Sequence, residues 1–188
     1  MPLADCDLLL LRHAPAITGG RLCGRTDVPA DLSDRAAVLR LADALNNCAR
    51  VVTSPALRCR QTAESLWPGR PFLVDEALWE QDFGVEDGAP LASLPDLGVL
   101  DRGSLARRQP QGGESFLQMS ARAGSALRRL AHAGPVAVIA HAGTVRAGLA
   151  LALGDAAAAL AFEIAPLSVT HLRRFGQDWS IASVNSRP

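Results

Sequence analysis

Arginine and histidine follow three short apolar stretches of the sequence. Arg12 and His13 come directly after LLLL, and His141 comes directly after PVAVIA. Arg58 lies shortly after VVTS. A guanidinium binds phosphate oxygens through a planar fork of N–H donors, and a neutral imidazole nitrogen can attack phosphorus. Because phosphoryl transfer needs mainly positioning and charge stabilisation, these residues suit it without a metal ion, with His13 as the nucleophile.

The segments before these residues have the pattern of buried strands. Residues 7–11 and 135–140 are apolar runs apart from Asp7, which predicts buried strands, and residues 50–53, RVVT, are predicted as a short strand. Ligands of open α/β sheets lie beyond the carboxyl ends of the strands, so we expect these polar side chains at one sheet edge. Gly143 and Thr144 open a helix there, whose N–H groups would add to anion binding. Spacing alone leaves open that the polar residues are ordinary surface groups.

Helical and strand patterns alternate along the rest of the chain, which predicts an α/β sandwich with a mainly parallel sheet. Ser33 is the expected N-cap of the first helix, and Ser54 caps the second, with Pro55 at its first position. The terminal hairpin indicates a mixed sheet edge. The predicted helices cover residues 33–47, 54–66, 113–132 and 143–153, and the further strands cover 72–74, 168–175 and 179–184.

The composition excludes several kinds of chemistry and partner. All 19 basic residues are arginine, so the chain has no lysine for a Schiff base, a pyridoxal phosphate site or a P-loop. The 19 acidic residues bring the net charge to zero, which argues against nucleic acid or an anionic membrane as a partner. The length of 188 residues predicts one domain, residues 1–188.

Targeting and cysteine patterns point to a cytoplasmic protein. No basic region precedes the N-terminal apolar run, and the longest apolar stretch, residues 147–164, contains Asp155 and Glu163. The cysteines at positions 6, 23, 48 and 59 lack CxxC or other metal-ligand spacing, so we expect buried or half-buried thiols. We expect neither a metal ion nor a cofactor.

Six stretches of the chain together resemble a known family. They occur in the order seen in the histidine phosphatase superfamily, the phosphoglycerate-mutase-like enzymes. The resemblance implies a three-layer α/β/α sandwich and a metal-independent phosphomonoesterase that acts on a small phosphorylated substrate through a phosphohistidine. The stretches, which span residues 8 to about 150, are LLRHAP, GRTDVP, SPALRCRQTAE, WEQDFGVEDG, GGES and AHAGTVRA.

The resemblance also implies roles for individual residues. His13 resembles the phosphorylated nucleophile of the family, and its phosphate pocket is matched by Arg12, Arg58 and His141. Glu80 stands where many members place the acid that protonates the leaving oxygen. Two nearby carboxylates are weaker candidates for that role, namely Glu86 and Asp82.

The sequence departs from the family pattern beside the nucleophile. Ala14 takes the place of the usual glycine, and Pro15 favours an extended backbone there. Ala16, Ile17 and Thr18 stand where mutases carry Ser and Trp-Asn. This difference favours hydrolysis, with water taking the phosphoryl group, over mutase activity.

Residues 20–31, GRLCGRTDVPAD, resemble the G-x-x-x-G-x-T-D-V-P stretch of α-ribazole phosphatases, which usually have leucine in place of Ala30. α-Ribazole 5′-phosphate, from cobalamin synthesis, is therefore the first candidate substrate. The alternatives are a broad-specificity or sugar-phosphate phosphatase, and then a protein phosphohistidine phosphatase. Arg25 and Arg21 either line the pocket entrance as substrate contacts or are solvated loop residues.

Residues 81–112 are rich in Gly, Pro and Asp and poor in periodicity, which predicts a long loop or irregular insertion. We expect this segment to cover the pocket and set specificity. Its arginines at positions 102, 107 and 108 meet either a substrate anion or solvent.

Two readings from other classes stay open. A non-catalytic phosphate-binding module is disfavoured because the chain retains all five matched polar residues together. A metallohydrolase that uses His13 and His141 is disfavoured because no carboxylate accompanies them at ligand spacing. We expect structural positions for His132 and His171, a helix-terminal position for Glu114, and solvated helix positions for the arginines at 122, 128 and 129.

Overall fold

A computed structural model describes residues 7–46, 48 and 50–188, and six strands of this part of the chain form one sheet. The strand order is β3-β2-β4-β1-β5-β6. In chain order the elements are β1 Asp7–Arg12, α1 Arg35–Ala44, β2 Val51–Thr53, α2 Leu57–Leu66, β3 Leu73–Val74, α3 Arg102–Arg107, α4 Phe116–Ala131, β4 Val136–Ala140, α5 Ala142–Leu153, α6 Ala156–Ala159, β5 Val169–Phe175 and β6 Asp178–Ser186.

The sheet is mixed, with four parallel strands and an antiparallel edge. β4 lies between β1 and β2 and is parallel to both, and β2 also pairs in parallel with β3. β5 is antiparallel to β1 and forms the terminal hairpin with β6. Arg12 pairs with Ala140, and Thr53 pairs with Ile139. The carboxyl ends of β1, β4 and β2 therefore lie side by side, as the sequence predicts.

Apolar side chains pack on both faces of the sheet. Leu8 and Leu10 of β1 pack with the buried faces of α4 and α5. Leu9 and Leu11 point to the opposite face and pack with α1 and α2. Because side chains alternate along a strand, the unbroken leucine run fills both layers at once. The predicted three-layer α/β/α sandwich is confirmed.

The caps of the first two helices differ from the prediction. α1 begins one residue after Asp34, whose carboxylate accepts the Ala37 N–H at 3.0 Å, so Asp34 rather than Ser33 is its N-cap. Asn47, in the predicted last turn, lies outside the described residues. α2 begins only at Leu57, whose N–H donates to the Asp27 carboxylate at 2.7 Å. The Ser54 hydroxyl, the predicted cap, faces an imidazole instead.

The two helices on the other face of the sheet also begin at residues that differ from the predicted starts. α4 begins after Ser115, which forms a capping box with Gln118: each side chain accepts the other residue's backbone N–H. Glu114, the predicted helix-terminal acid, pairs with an arginine further along α4. α5 begins at Ala142, one residue before the predicted start, with His141 as its N-cap residue.

The segment over residues 81–112 contains more regular structure than a loop. It includes 3₁₀ turns over Gly84–Glu86 and Leu91–Ser93, as well as α3. The Asp87 carboxylate accepts the backbone N–H groups of Arg25 and Thr26 at 2.6 and 2.9 Å. Leu22 N–H donates to Ala89 O at 2.9 Å. These bonds fasten the segment to the loop that contains GRTDVP.

Within the described residues, every helix is too short or too polar to span a lipid bilayer.

Gly148 lets α5 pack closely on the sheet, and its substitution tests this packing. A Cβ at this position would lie 2.3 Å from Leu10 Cδ1 and 3.1 Å from Leu172 Cδ1. We expect Gly148→Ala to lower the free energy of unfolding by about 1–3 kcal/mol through overpacking. Urea denaturation measures this. Gly124→Ala, whose Cβ would meet only the flexible Leu151 side chain, is the matched control; equal stability of both variants would contradict the prediction.

Candidate active site

Two imidazoles meet at the carboxyl edge of the sheet. His13 follows β1, His141 follows β4, and their ring centroids lie 5.2 Å apart with the planes at 69°. The backbone N–H of His13 donates to the Ala140 carbonyl oxygen at 2.9 Å, which ties the two strand ends together. Both rings are buried, with 5% of His13 and none of His141 exposed. Neighbouring parallel strands thus place residues 128 positions apart in edge-to-face contact.

The tautomer of His13 is fixed by the backbone carbonyl of the next residue, Ala14. Its Nδ1 lies 2.6 Å from the Ala14 carbonyl oxygen, which can only accept a hydrogen bond, so Nδ1 carries the proton. The lone pair of the neutral ring is then on Nε2. Ala14 N–H donates to Thr62 Oγ1 at 3.0 Å, and that hydroxyl donates to Arg58 O at 2.7 Å. α2 therefore holds the peptide that orients His13.

His141 is held between a guanidinium and a hydroxyl. Arg58 donates to its Nδ1 at 3.3 Å, so Nε2 carries the proton of the neutral ring and donates to Ser54 Oγ at 2.8 Å. The Trp79 indole stacks on the imidazole with ring centroids 6.4 Å apart and planes within 6°. These contacts fix the ring beside His13.

Arg58 is buried and binds backbone oxygens. Its guanidinium donates to Thr26 O at 3.1 Å, to Gly24 O at 2.8 Å and to Cys23 O at 3.4 Å. Only 1% of the residue is exposed. Arg58 thus fastens the GRTDVP loop to the imidazole pair, a function that its predicted role in phosphate binding does not include.

Arg12 keeps donor capacity within the site. One terminal nitrogen donates to Ile164 O at 2.6 Å, while the buried Nε has no hydrogen-bond partner in the described part of the chain. Buried polar groups are normally paired, so an unpaired guanidinium donor indicates a place suited to an anion.

Burial and positive charge keep both imidazoles neutral. Burial, aided by the nearby Arg58 and Arg12 guanidiniums, lowers the pKa of His13 to about 3. Burial, with His13 and Arg58 close by, holds the pKa of His141 well below its usual range. Burial also lowers the pKa of Arg12, an effect that Glu80 opposes. At neutral pH, His13 has the free nitrogen lone pair that a nucleophile needs.

Glu80 lies against the N-terminus of α5. Its Oε2 accepts the Gly143 N–H at 3.2 Å, and its Oε1 accepts the Gln81 N–H at 3.0 Å. A Cβ on Gly143 would lie 2.1 Å from Glu80 Oε1 and 2.5 Å from Met119 Cε. Only glycine therefore leaves room for the carboxylate at this position.

Thr144 has a packing role in this structure. Its hydroxyl is buried and donates to Leu78 O at 3.2 Å, which joins α5 to the turn before Glu80. The predicted contact of Thr144 with substrate would thus fall to its backbone N–H.

Arg25 lies beside the site and packs on Trp79. Its guanidinium carbon is 5.4 Å from the centre of the indole ring, and its Nη2 is 3.9 Å from Glu114 Oε1. Arg21 is exposed and donates to Gly88 O at 2.8 Å. Of the two arginines predicted at the entrance, Arg25 is thus the one in contact with the residue next to Glu80.

The other predicted polar residues lie in different surroundings. Glu86 pairs with Arg108, and the Asp82 carboxylate accepts the Gly84 N–H at 2.8 Å, which leaves Glu80 as the carboxylate beside α5. His171, for which we expect a structural position, contacts the buried Asp7 carboxylate at 2.8 Å. Exposed positions are occupied by Arg102, Arg107, Arg128, Arg129 and His132. Among the described cysteines, Cys48 and Cys59 are buried and Cys23 is half-buried, while Cys6 lies outside the described residues.

The sequence interpretation missed several residues that hold the site. Ser54 and Thr62 are small polar residues in apolar surroundings, and no periodic pattern distinguishes them. Arg122, predicted to be solvated, binds Glu114 and the backbone before Glu80. The spacing of eight between Glu114 and Arg122 gave no signal, because only residues three or four apart are neighbours on a helix. No group of three or more His, Cys, Asp or Glu within the described ranges is placed to hold a metal ion.

One known protein family matches nearly the whole sequence. The sequence profile of the histidine phosphatase superfamily, branch 1, matches residues 8–187. No functionally curated protein sequence matches the chain significantly.

Several solved structures share the fold over nearly the whole chain. YhfR from Bacillus stearothermophilus is 24% identical, with a TM-score of 0.85 over 97% of this chain and 98% of that one. A mycobacterial glucosyl-3-phosphoglycerate phosphatase in complex with VO3 is 25% identical, with a TM-score of 0.82 over 96% and 98% of the chains. The α-ribazole phosphatase from Shigella flexneri is 20% identical, with a TM-score of 0.81 over 96% of both chains.

The profile match covers far more than half of the sequence, and the resemblance seen in the motifs is confirmed. The chain belongs to branch 1 of the histidine phosphatase superfamily and is, as the sequence predicts, an enzyme of the phosphoric monoester hydrolase class.

Proposed function

We propose that the protein hydrolyses a small phosphomonoester, without a metal ion, through a phosphohistidine on His13. The observation that carries this proposal is the buried, neutral imidazole of His13 with its Nδ1 proton committed to Ala14 O. Nε2 is then the nucleophilic atom, and it lies in a site rich in guanidinium groups. The Glu80 carboxylate, which accepts the Gly143 N–H at the start of α5, supports the proposed proton transfer.

The first chemical step transfers the phosphoryl group to the protein. His13 Nε2 attacks phosphorus, the ester P–O bond breaks, and the leaving oxygen takes a proton from Glu80. An arriving phosphate dianion favours the protonated form of a neighbouring carboxylate, because two negative groups oppose each other. Arg12 offers its unpaired Nε–H to the phosphoryl oxygens, with Arg58, His141 and the start of α5 as the further positive surroundings.

The second step releases phosphate and restores the enzyme. Glu80, now a carboxylate, takes a proton from water as the water oxygen attacks phosphorus. The P–N bond breaks, and the electron pair returns to His13 Nε2. The depressed pKa of His13 makes the neutral imidazole a good leaving group at this stage. Neither step consumes a cofactor.

We propose α-ribazole 5′-phosphate as the first candidate substrate, used in the cytoplasm. Its support is the GRLCGRTDVPAD stretch and the likeness to the Shigella flexneri α-ribazole phosphatase. A sugar phosphate is the second candidate, because the mycobacterial glucosyl-3-phosphoglycerate phosphatase is equally similar in fold. We propose that Arg25 contacts the part of the substrate outside the phosphate pocket.

Replacement of His13 tests the nucleophile. We expect His13→Ala to lower turnover of an aryl phosphate by more than about 10³-fold, because the covalent step is lost. Wild-type protein quenched during turnover should carry an acid-labile, base-stable phosphoryl group on His13. The control is His132→Ala, an exposed histidine outside the site. Wild-type rates for His13→Ala, or a label on another residue, would refute the mechanism.

Replacement of Glu80 tests the proton donor. We expect Glu80→Gln to slow an alkyl phosphate by about 10²–10⁴-fold, because a poor leaving group needs the proton. A dinitrophenyl phosphate, whose leaving group needs no proton, should slow by less than about tenfold. Rates are compared as kcat/KM, with Glu86→Gln as the control. Equal slowing of both substrates, or the same pattern in the control, would remove Glu80 from this role.

A metal-free kinetic panel tests the substrate. It includes α-ribazole 5′-phosphate, glucosyl-3-phosphoglycerate, 3-phosphoglycerate, simple sugar phosphates and a phosphohistidine peptide, all with EDTA present. We expect α-ribazole 5′-phosphate to exceed the others in kcat/KM by at least about 10²-fold, the discrimination that a few specific contacts provide. A flat profile would support a broad-specificity phosphatase, and loss of activity in EDTA would support a metallohydrolase.

A further inference from the structure

Arg122 of α4 binds the backbone that leads to Glu80. Its Nη1 donates to Ala77 O at 2.8 Å and to Trp79 O at 3.2 Å, and its Nη2 lies 3.4 Å from Glu80 O. Three carbonyl oxygens of one short segment therefore converge on a single guanidinium. Residues 79–82 have no regular secondary structure of their own, so these bonds replace the ladder that a strand or helix would supply.

Glu114 completes the arrangement from the other side. Its carboxylate pairs with Arg122 through both oxygens, and its Oε1 also accepts the Asp82 N–H at 3.1 Å. Its backbone N–H donates to Asp82 O at 2.9 Å, and its carbonyl accepts from Gln81 Nε2 at 2.8 Å. The ion pair is partly buried, with 24% of the Arg122 side chain and 18% of the Glu114 side chain exposed.

Both the backbone and the carboxylate of Glu80 are thus held in place. Arg122 and Glu114 fix the backbone on either side of it, while the Gly143 and Gln81 N–H groups hold its carboxylate. Burial of His141, with His13, Arg58 and Arg12 close by, lowers the pKa of that imidazole, and Arg122 adds the smallest contribution. A shift of about 1 Å in a reacting group costs roughly 10²-fold in rate, so a fixed backbone is a kinetic requirement here.

We propose that Arg122, together with Glu114, is a positioning residue for the proton donor Glu80. This inference rests on the proposed function, because it needs Glu80 to transfer the proton. Arg122 contacts neither the nucleophile nor the phosphate pocket, and it acts only through the segment over residues 77–82. Its loss should therefore slow phosphoryl transfer from esters whose leaving oxygen needs a proton, and leave transfer from esters with good leaving groups nearly unchanged.

Another ion pair of α4 provides a matched control. Arg129 lies two turns further along the helix and pairs with Asp75, just before the same segment. It is exposed, and its bond ends on a side chain rather than on the backbone next to Glu80. Arg129→Met removes the same charge from the same helix face without touching the Glu80 backbone.

The experiment compares kcat/KM, which reports the first phosphoryl transfer, for an alkyl phosphate and for dinitrophenyl phosphate in Arg122→Met, Arg122→Lys, Arg129→Met and the wild type. We expect Arg122→Met to lower kcat/KM for the alkyl phosphate by at least about tenfold, as for partial loss of general acid catalysis, and to change kcat/KM for dinitrophenyl phosphate by less than about threefold. Arg122→Lys should recover part of the alkyl rate, because an ammonium retains the charge but not the planar fork. Arg129→Met should match the wild type.

A double variant separates positioning from general stability. If Arg122 acts through Glu80, Arg122→Met added to Glu80→Gln should lower the alkyl rate no further. Multiplying effects, or equal loss of both substrates in Arg122→Met, would overturn the proposal. If Arg122→Met fails to fold, Glu114→Gln serves for the same comparison, since it removes the partner charge while keeping its shape.

The Glu80→Gln variant alone tests whether Glu80 is the proton donor. If Glu80→Gln slows the alkyl phosphate more than dinitrophenyl phosphate but the Arg122 variants do not, the positioning role is overturned. The proposed function then stays intact. A Glu80→Gln protein without that dependence would overturn both.

Discussion

The hydrogen bond from His13 Nδ1 to the Ala14 carbonyl decides which ring nitrogen faces the site. It depends on the Ala14 peptide, whose N–H is held by the Thr62 hydroxyl, and that hydroxyl is bound in turn to Arg58 O. His13, the proposed nucleophile, is therefore oriented by α2 as much as by β1. Ala14 in place of the family's usual glycine does not disturb this bond, because the backbone groups of Ala14, not its side chain, make the contacts.

Positive charge near a buried imidazole has an electrostatic cost, and the fold limits it by pairing the guanidiniums with backbone oxygens. Arg58 is surrounded by carbonyls of the GRTDVP loop, and Arg12 reaches Ile164 O. Carbonyl dipoles stabilise a guanidinium without neutralising it, so the site keeps its affinity for an anion. An ion pair with a carboxylate would have satisfied the same donors and cancelled the charge that a phosphate needs.

The sequence predicts those parts of the fold in which one residue pattern has one structural solution. The runs over residues 8–11 and 135–140 are apolar at every position, which is typical of strands buried on both faces, and the residues that follow them meet as expected. Caps were harder to predict, because Ser54 had two possible partners and the imidazole of His141 was the nearer. Arg122 was mistaken for a solvated residue because its partners are carbonyls of an irregular segment, and irregular backbone leaves no period in the sequence.

The position of Glu80 in the site is also set by neighbouring elements rather than by its own segment. A carboxylate on an irregular segment has no fixed direction of its own, so its position depends on the elements around it. α5 supplies the Gly143 N–H, and α4 supplies the guanidinium that holds the segment. These two helices pack on the same face of the sheet, and Gly148 brings α5 close to β1. The layer formed by α4 and α5 thus positions Glu80, whereas His13 at the end of β1 is oriented by α2 on the opposite face of the sheet.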